Sequence, residues 1–290
     1  MRLLIKTVIL SLSIVFSTNA GAALSSQEIP YYGEEFFREL KAGVSNKDML
    51  MRLKVVLRVS HTVIPGSYDE LGTGCGDRKY ECYQHVPVGY DRARVFLLGN
   101  YYLAQDGSDY KVWDVYCNTF KTKEDFGRNN GPAPGRIPNN NIINVEHTWP
   151  QSRFSGRYPK DMQKSDLHHL YPTDNKINGA RGNYKFGEVV RDKKTLHCPE
   201  SRFGTGAVAG MEIFEPPSNH KGNVARALFY FSTKYDLPID PNEEATLKKW
   251  HHEDPVDEEE MNRNIAIFEA QGSRNPFIDY PELADRVSDF

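Results

Sequence analysis

The residues Asn144-Val145-Glu146-His147-Thr148-Trp149-Pro150-Gln151-Ser152 constrain this chain most. The apolar, β-branched stretch 142–146 reads as a strand, and Pro150 lacks the N–H needed to continue a ladder. A strand that must stop here leaves His147 at its end, beside a loop, where a side chain is held rigidly yet can meet a ligand. Two further blocks follow: Ser165-Asp166-Leu167-His168-His169-Leu170-Tyr171-Pro172 and Asn178-Gly179-Ala180-Arg181-Gly182-Asn183. Together the three blocks supply an imidazole, carboxylates, side-chain amides and guanidinium groups. Those are the parts that metal-assisted cleavage of a phosphodiester requires.

The chain opens on an address. Arg2 and Lys6 precede the ten-residue run 7–16, and small residues follow through Ala23. That order is the pattern of a cleaved secretory signal over residues 1–22, and the run falls short of the roughly 20 residues that span a bilayer. An exported protein, periplasmic or extracellular, is expected, with no membrane contact once the signal is removed. Export bears on Cys75, Cys82, Cys117 and Cys198, an even set that suggests two disulfides in an oxidising compartment. The pairing Cys75–Cys82 with Cys117–Cys198 is favoured over a zinc site of Cys75, Cys82 and His85.

The formal net charge is −3, so global charge gives no argument for a nucleic-acid partner. Between Arg153 and Lys194, however, ten Lys or Arg stand against five Asp or Glu, a local +5 that coincides with the candidate site. The acidic cluster Glu253, Asp254, Asp257, Glu258, Glu259 and Glu260 reads as a solvated face.

Apolar spacing and caps predict helices over 30–43, from Ser45 or Asn46 to Leu57, over 91–98, from Asp174 or Asn175 to Asn183, and over 226–234. Two more are predicted over 243–252, capped by Asn242, and over 257–270, capped by Asp257 and stopped by Gly272. Residues 112–116 and 142–146 are the expected strands, 61–89 and 124–141 are loops, 165–170 is a helical turn and 275–277 is extended. The expected architecture is α+β, a mainly helical domain over 23–290. Its parts are a helical N-terminal region at 28–110, a core at 111–190 and C-terminal helices at 220–272.

His147 is the leading proton acceptor, since a neutral imidazole can take a proton from water near pH 7. On a regular strand Glu146 and His147 point to opposite faces. This suggests a division of labour across a bend, with Glu146 toward a metal and His147 toward water. Carboxylate and amide oxygens suit Mg²⁺, with Asn183 as the second protein ligand. Zinc through His147, His168 and His169 is disfavoured, because successive histidines rarely face one ion.

The blocks Glu146-His147-x-x-Pro150, Ser165-Asp166-Leu167-His168-His169-Leu170-x-Pro172 and Asn178-Gly179-x-Arg181-Gly182-Asn183 resemble the endonuclease I family of exported bacterial nucleases. The site of that family is a ββα-metal, or His-Me finger, motif. The likeness extends to Tyr90-x-x-Ala93-Arg94, Val224-Ala225-Arg226-Ala227 and Arg274-Asn275-Pro276-Phe277. The resemblance implies that His147 is the general base and that Glu146 and Asn183 hold one Mg²⁺, for which Mn²⁺ or Ca²⁺ could substitute. It implies that Arg157, or alternatively Arg153, contacts the phosphate. It implies that Asp166, His168, Asn178 and Arg181 orient the site or bind substrate. His169 stands where one subgroup has Asn. The implied activity is largely sequence-nonspecific hydrolysis of double-stranded DNA, extending to single-stranded DNA and RNA, with 5′-phosphate products, by a monomer. A catalytically silent polyanion-binding module and a phosphodiesterase on a small substrate are the competing functions.

Overall fold

In a computed structural model, residues 28–75, 81–128, 130–208 and 210–290 are described. The expected signal over 1–22 lies outside them. A single turn at Pro30–Tyr32 leads into α1 (Gly33–Lys41), which is followed by α2 (Asn46–Arg58). The expected loop at 61–89 instead contains three short strands, β1 (Ser60–Thr62), β2 (Glu70–Gly72) and β3 (Cys82–Tyr83), with β1 in the middle of an antiparallel sheet. Helix α3 (Tyr90–Phe96) runs on through a π-turn to Tyr101.

A meander of β4 (Leu103–Asp106), β5 (Asp109–Asp114) and β6 (Thr119–Lys121) follows, then the short α4 (Lys123–Phe126). The expected strand at 112–116 is therefore the end of β5. Asp114 Oδ1 accepts the N–H groups of Tyr116 and Cys117 and turns the chain there.

Strand β7 (Ile143–His147) pairs antiparallel not with β5 but with β8 (Leu170–Asp174), reached through α5 (Lys160–Lys164) and a single turn at Leu167–His169. Pro172 sits inside β8 without cost to the β7 ladder, and its carbonyl accepts the Val115 N–H on the other side. Helix α6 (Asn175–Arg181) starts directly from β8. Asp174 Oδ1 caps it by accepting the N–H groups of Lys176 (2.8 Å) and Ile177 (3.1 Å).

A four-stranded sheet comprises β9 (Lys185–Phe186), β10 (Arg191–Lys194), β11 (Arg202–Thr205) and β12 (Glu212–Glu215) in the order β10-β11-β12-β9. Helix α7 (Lys221–Tyr235) is buried along nearly its whole length and forms the axis of the core. Helix α8 (Pro241–Glu253) packs on α7 and is capped by Asp240, not Asn242. Helix α9 (Glu258–Gln271) has the expected Asp257 cap and Gly272 stop. The predicted extended segment at 275–277 is the start of α10 (Pro276–Asp279), capped by Asn275, and α11 (Leu283–Arg286) closes the chain. The architecture is α+β, with more strand than expected. Both favoured disulfides, Cys75–Cys82 and Cys117–Cys198, are formed, which rules out zinc at Cys75, Cys82 and His85.

Candidate active site

An open, polar cleft of about 510 Å³ lies along β7 and the C-terminal end of α6. Glu146, His147, Asn178, Arg181 and Asn183 all border it, together with Tyr90, Arg94 and Gln151. Glu146 and His147 share this cleft despite the alternation of a strand, because β7 stops at His147 and the chain bends through Thr148 to Pro150.

His147 is fixed on all sides. Its ring lies 5.4 Å from that of Tyr90, 5.4 Å from His169 and 6.1 Å from Phe154. Its Nε2 is 3.1 Å from the Lys164 carbonyl, which can only accept, so Nε2 carries the proton and Nδ1 keeps its lone pair. The Gln151 amide nitrogen stands 3.4 Å from Nδ1, as a donor would. Burial drives the His147 pKa down to about 3, with His169 adding to the effect, so the imidazole is neutral across the physiological range.

Glu146 is buried, and Oε1 accepts the Tyr116 hydroxyl at 3.0 Å and lies 3.2 Å from Arg181 Nε. Burial pushes its carboxyl up to about 7, although Arg181 and Tyr116 oppose the shift. The protein therefore under-compensates this anion, and a cation in the cleft would relieve it.

Arg181 is a clamp. It reaches back to the carbonyls of His147 (3.4 Å) and Thr148 (2.6 Å), and its guanidinium lies over the Phe186 ring. Gly182 has φ +55°, a value that favours glycine, and this turn brings Asn183 to the cleft rim. The Asn183 amide nitrogen is 3.4 Å from Ser152 Oγ, and its Oδ1 receives no donor among the described residues. Asn178 donates to Asn144 Oδ1 at 2.8 Å, and Asn144 donates to Asn175 Oδ1 at 2.7 Å, so a chain of amides braces α6 against β7.

Other expected site residues lie elsewhere. Arg157 is exposed and paired with Asp236 at 2.9 Å, outside the residues that border the cleft. Arg153 does not border it either. Its guanidinium holds the Asn183 carbonyl at 3.0 Å and approaches Glu243 at 3.5 Å. Asp166 and His168 are interior. His168 Nε2 donates to the Ser273 carbonyl, and His169, not His168, packs beside His147.

Arg94 is the cleft cation that sequence reasoning passed over, since Tyr90-x-x-Ala93-Arg94 carried no assigned role. Its hold is loose, at 3.2 Å to Asn140 Oδ1 and 3.5 Å to Asp91. The four-residue spacing of Tyr90 and Arg94 on a helix was the available signal. Tyr116 and the Lys164 carbonyl left no such signal, because only tertiary packing brings them in, whereas Gln151 stands in the opening block, four residues from His147, with no role assigned to it.

Hard oxygen donors from an incompletely compensated carboxylate and an amide, in a polar cleft, fit a divalent cation such as Mg²⁺. The fold and site thus define an α+β protein with a neutral imidazole beside oxygen donors, an arrangement suited to hydrolytic chemistry. The chain belongs to the Endonuclease I family, whose profile matches residues 83–282. It is 34% identical over 162 residues to an extracellular ribonuclease of Bacillus subtilis (strain 168), covering 50% of this chain and 53% of that protein. It is 30% identical over 115 residues to an endonuclease-1 of Buchnera aphidicola, covering 40% and 44%. It is also 27% identical over 123 residues to a periplasmic deoxyribonuclease of Aeromonas hydrophila, covering 41% and 49%. The chain spans about half the length of the curated relatives it matches.

Proposed function

We propose that this protein is an exported, metal-dependent endonuclease that hydrolyses phosphodiester bonds of DNA, and of RNA, with little sequence preference. The observation that carries the reading is that His147, Glu146 and Asn183 all border one open, polar cleft. The strand pair β7–β8 running straight into α6 supports a ββα-metal reading of that unit. Relatives named as ribonuclease and as deoxyribonuclease support a nucleic-acid substrate without choosing between the two. The two disulfides support export. No helix among the described residues is long and apolar enough to cross a membrane.

In this mechanism His147 Nδ1 takes the proton of a water that attacks phosphorus, while the Lys164 carbonyl keeps the other nitrogen protonated and the ring aligned. Glu146 and Asn183 would hold Mg²⁺, with Mn²⁺ or Ca²⁺ as substitutes. When bound, such an ion neutralises charge on the phosphate and the departing 3′ oxygen, which leaves a 5′-phosphate. Arg94 takes the phosphate-contacting role first assigned to Arg157, since it borders the cleft and is only loosely held. Phosphate contacts position a strand without reading bases, and such binding weakens as salt rises.

The test is supercoiled plasmid and single-stranded RNA incubated with the protein, with Mg²⁺ or with EDTA. His147→Ala should lose at least about a hundredfold in rate. Arg94→Ala should slow cleavage while Arg157→Ala leaves it near wild type. Cleavage by His147→Ala at the wild-type rate would remove His147 from its role.

A further inference from the structure

A second hollow, of about 420 Å³, shares no lining residue with the His147 cleft. Its size is within the range of small-molecule sites, roughly 300–1,000 Å³. Its walls are aromatic. Trp113 of β5 and Phe120 of β6 meet edge to face with ring centres 4.9 Å apart, and Tyr101 forms another side.

Two polar side chains border this hollow without a hydrogen-bond partner among the described residues. Asn223 is 8% exposed and His220 is 5% exposed. Among the described residues neither the Asn223 amide nor the His220 ring makes a hydrogen bond, although the ring packs against Tyr171 at 4.7 Å. Neither residue contributes a fully buried atom left without a partner, so both polar groups open onto the hollow and are free to pair with a ligand. Burial drives the His220 pKa to about 3, so its ring is neutral and offers one donor and one acceptor. The Asn223 amide offers both as well. The arrangement is built for a ligand edge that alternates donors and acceptors.

The charge of the lining residues disfavours phosphate. No Lys or Arg lines it, while two acidic residues, Asp257 and Glu259, border it. A flat, neutral ring fits these features: aromatic faces for stacking, amide and imidazole for its polar edge, and carboxylates to accept from an exocyclic amine. We propose that this hollow is a binding site for an amine-bearing nucleobase, presented either by a free nucleoside or by an unpaired residue of a nucleic-acid strand. The second source rests on the nuclease reading above, and the first does not. Every base has a face to stack, so the site would be selective mainly through its edge contacts.

The test is run in EDTA, so that cleavage plays no part. Adenosine, thymidine, adenosine 5′-monophosphate and glucose are each titrated into the full protein, read by tryptophan fluorescence and saturation-transfer NMR. Adenosine should saturate, more tightly than thymidine and more tightly than the monophosphate. Asn223→Leu and Trp113→Leu should each weaken adenosine binding by about tenfold or more. Phe120→Leu, at a partly exposed position, serves if either variant fails to fold.

A short oligonucleotide with one unpaired adenine that displaces adenosine would assign the strand as source. Failure to displace it would assign the free nucleoside. Adenosine that does not saturate, binding unchanged in the folded variants, or saturation by glucose in place of adenosine would overturn the proposal. Plasmid cleavage without adenosine binding would sink this inference alone, and adenosine binding by a chain that cleaves nothing would sink only the earlier reading.

Discussion

Asp166 shows how much a single carboxylate can hold in place. It is fully buried and gathers the hydroxyls of Tyr235 (2.7 Å) and Tyr230 (3.1 Å), the Gln271 amide (2.8 Å) and the Lys234 ammonium (3.2 Å). Burial alone would raise its pKa. Lys234, with the nearby histidines, holds it well below the ordinary value instead. Burial also lowers Lys234, to about 8, so the pair is charged at neutral pH. A carboxyl depressed in the folded state adds stability above its unfolded pKa, and that contribution is lost as pH falls through the folded value. Asp166→Asn should therefore cost about 3–5 kcal/mol near neutral pH, because it leaves a buried ammonium unpaired. The deficit relative to wild type should shrink below about pH 4. Adding Lys234→Met should return part of the loss. Urea unfolding at both pH values checks this, and a deficit independent of pH would refute the ion-pair account. Asp166 therefore serves the site at a distance: it anchors the turn that carries His169 to its place beside His147.

At the scale of elements, two glycines in helices should respond to the same substitution with opposite sign. Alanine is preferred to glycine inside a helix by about 1 kcal/mol. In α6, a Cβ at Gly179 would meet nothing within 4 Å, so Gly179→Ala should stabilise by up to about 1 kcal/mol. In α7, a Cβ at Gly222 would lie 1.9 Å from the Asp254 carbonyl oxygen and 2.5 Å from Arg226 Nη2. Forced overpacking costs about 1–3 kcal/mol, so Gly222→Ala should destabilise despite the propensity. Thermal melts of the two variants decide the matter, and a raised Tm for Gly222→Ala would show that the α7–α8 contact is looser than described. The same contrast explains what the sequence revealed. Helices α2, α7 and α9 were legible because apolar spacing and caps are local signals. Strand β8 was not, because Pro172 argues against a strand, and only its pairing with β7 shows that its N–H was never needed. Strand β10 was missed because Arg191 to Lys194 are all exposed, which leaves no alternation to read. In the site, Glu146, His147 and Asn183 stood out as compact blocks. The partners that set their chemistry did not, since Tyr116 is 30 residues away from Glu146 and contributes only a hydroxyl.

For the whole molecule, the two disulfides differ in what they enclose. Cys75–Cys82 closes a separation of 7 residues, and Cys117–Cys198 closes one of 81. The longer loop contains β7, β8 and α6, and with them Glu146, His147 and Asn183. Cross-linking removes freedom from the unfolded chain, and the effect grows with the logarithm of loop length. On that basis the long bridge contributes roughly 4–5 kcal/mol and the short one roughly 2. Replacing both cysteines of the long bridge with alanine should therefore cost about twice as much as replacing both of the short one. The long-bridge variant should also lose more of the proposed nuclease activity near its lowered Tm, because the unfolding it permits includes the strand that presents His147. Denaturant midpoints, with activity measured across the same transition, test both statements. An equal or larger loss from the Cys75–Cys82 pair would show that the enclosed length is not what stabilises this fold. Under that outcome the site would owe its rigidity to α7 and the Asp166 network rather than to the cross-link around it.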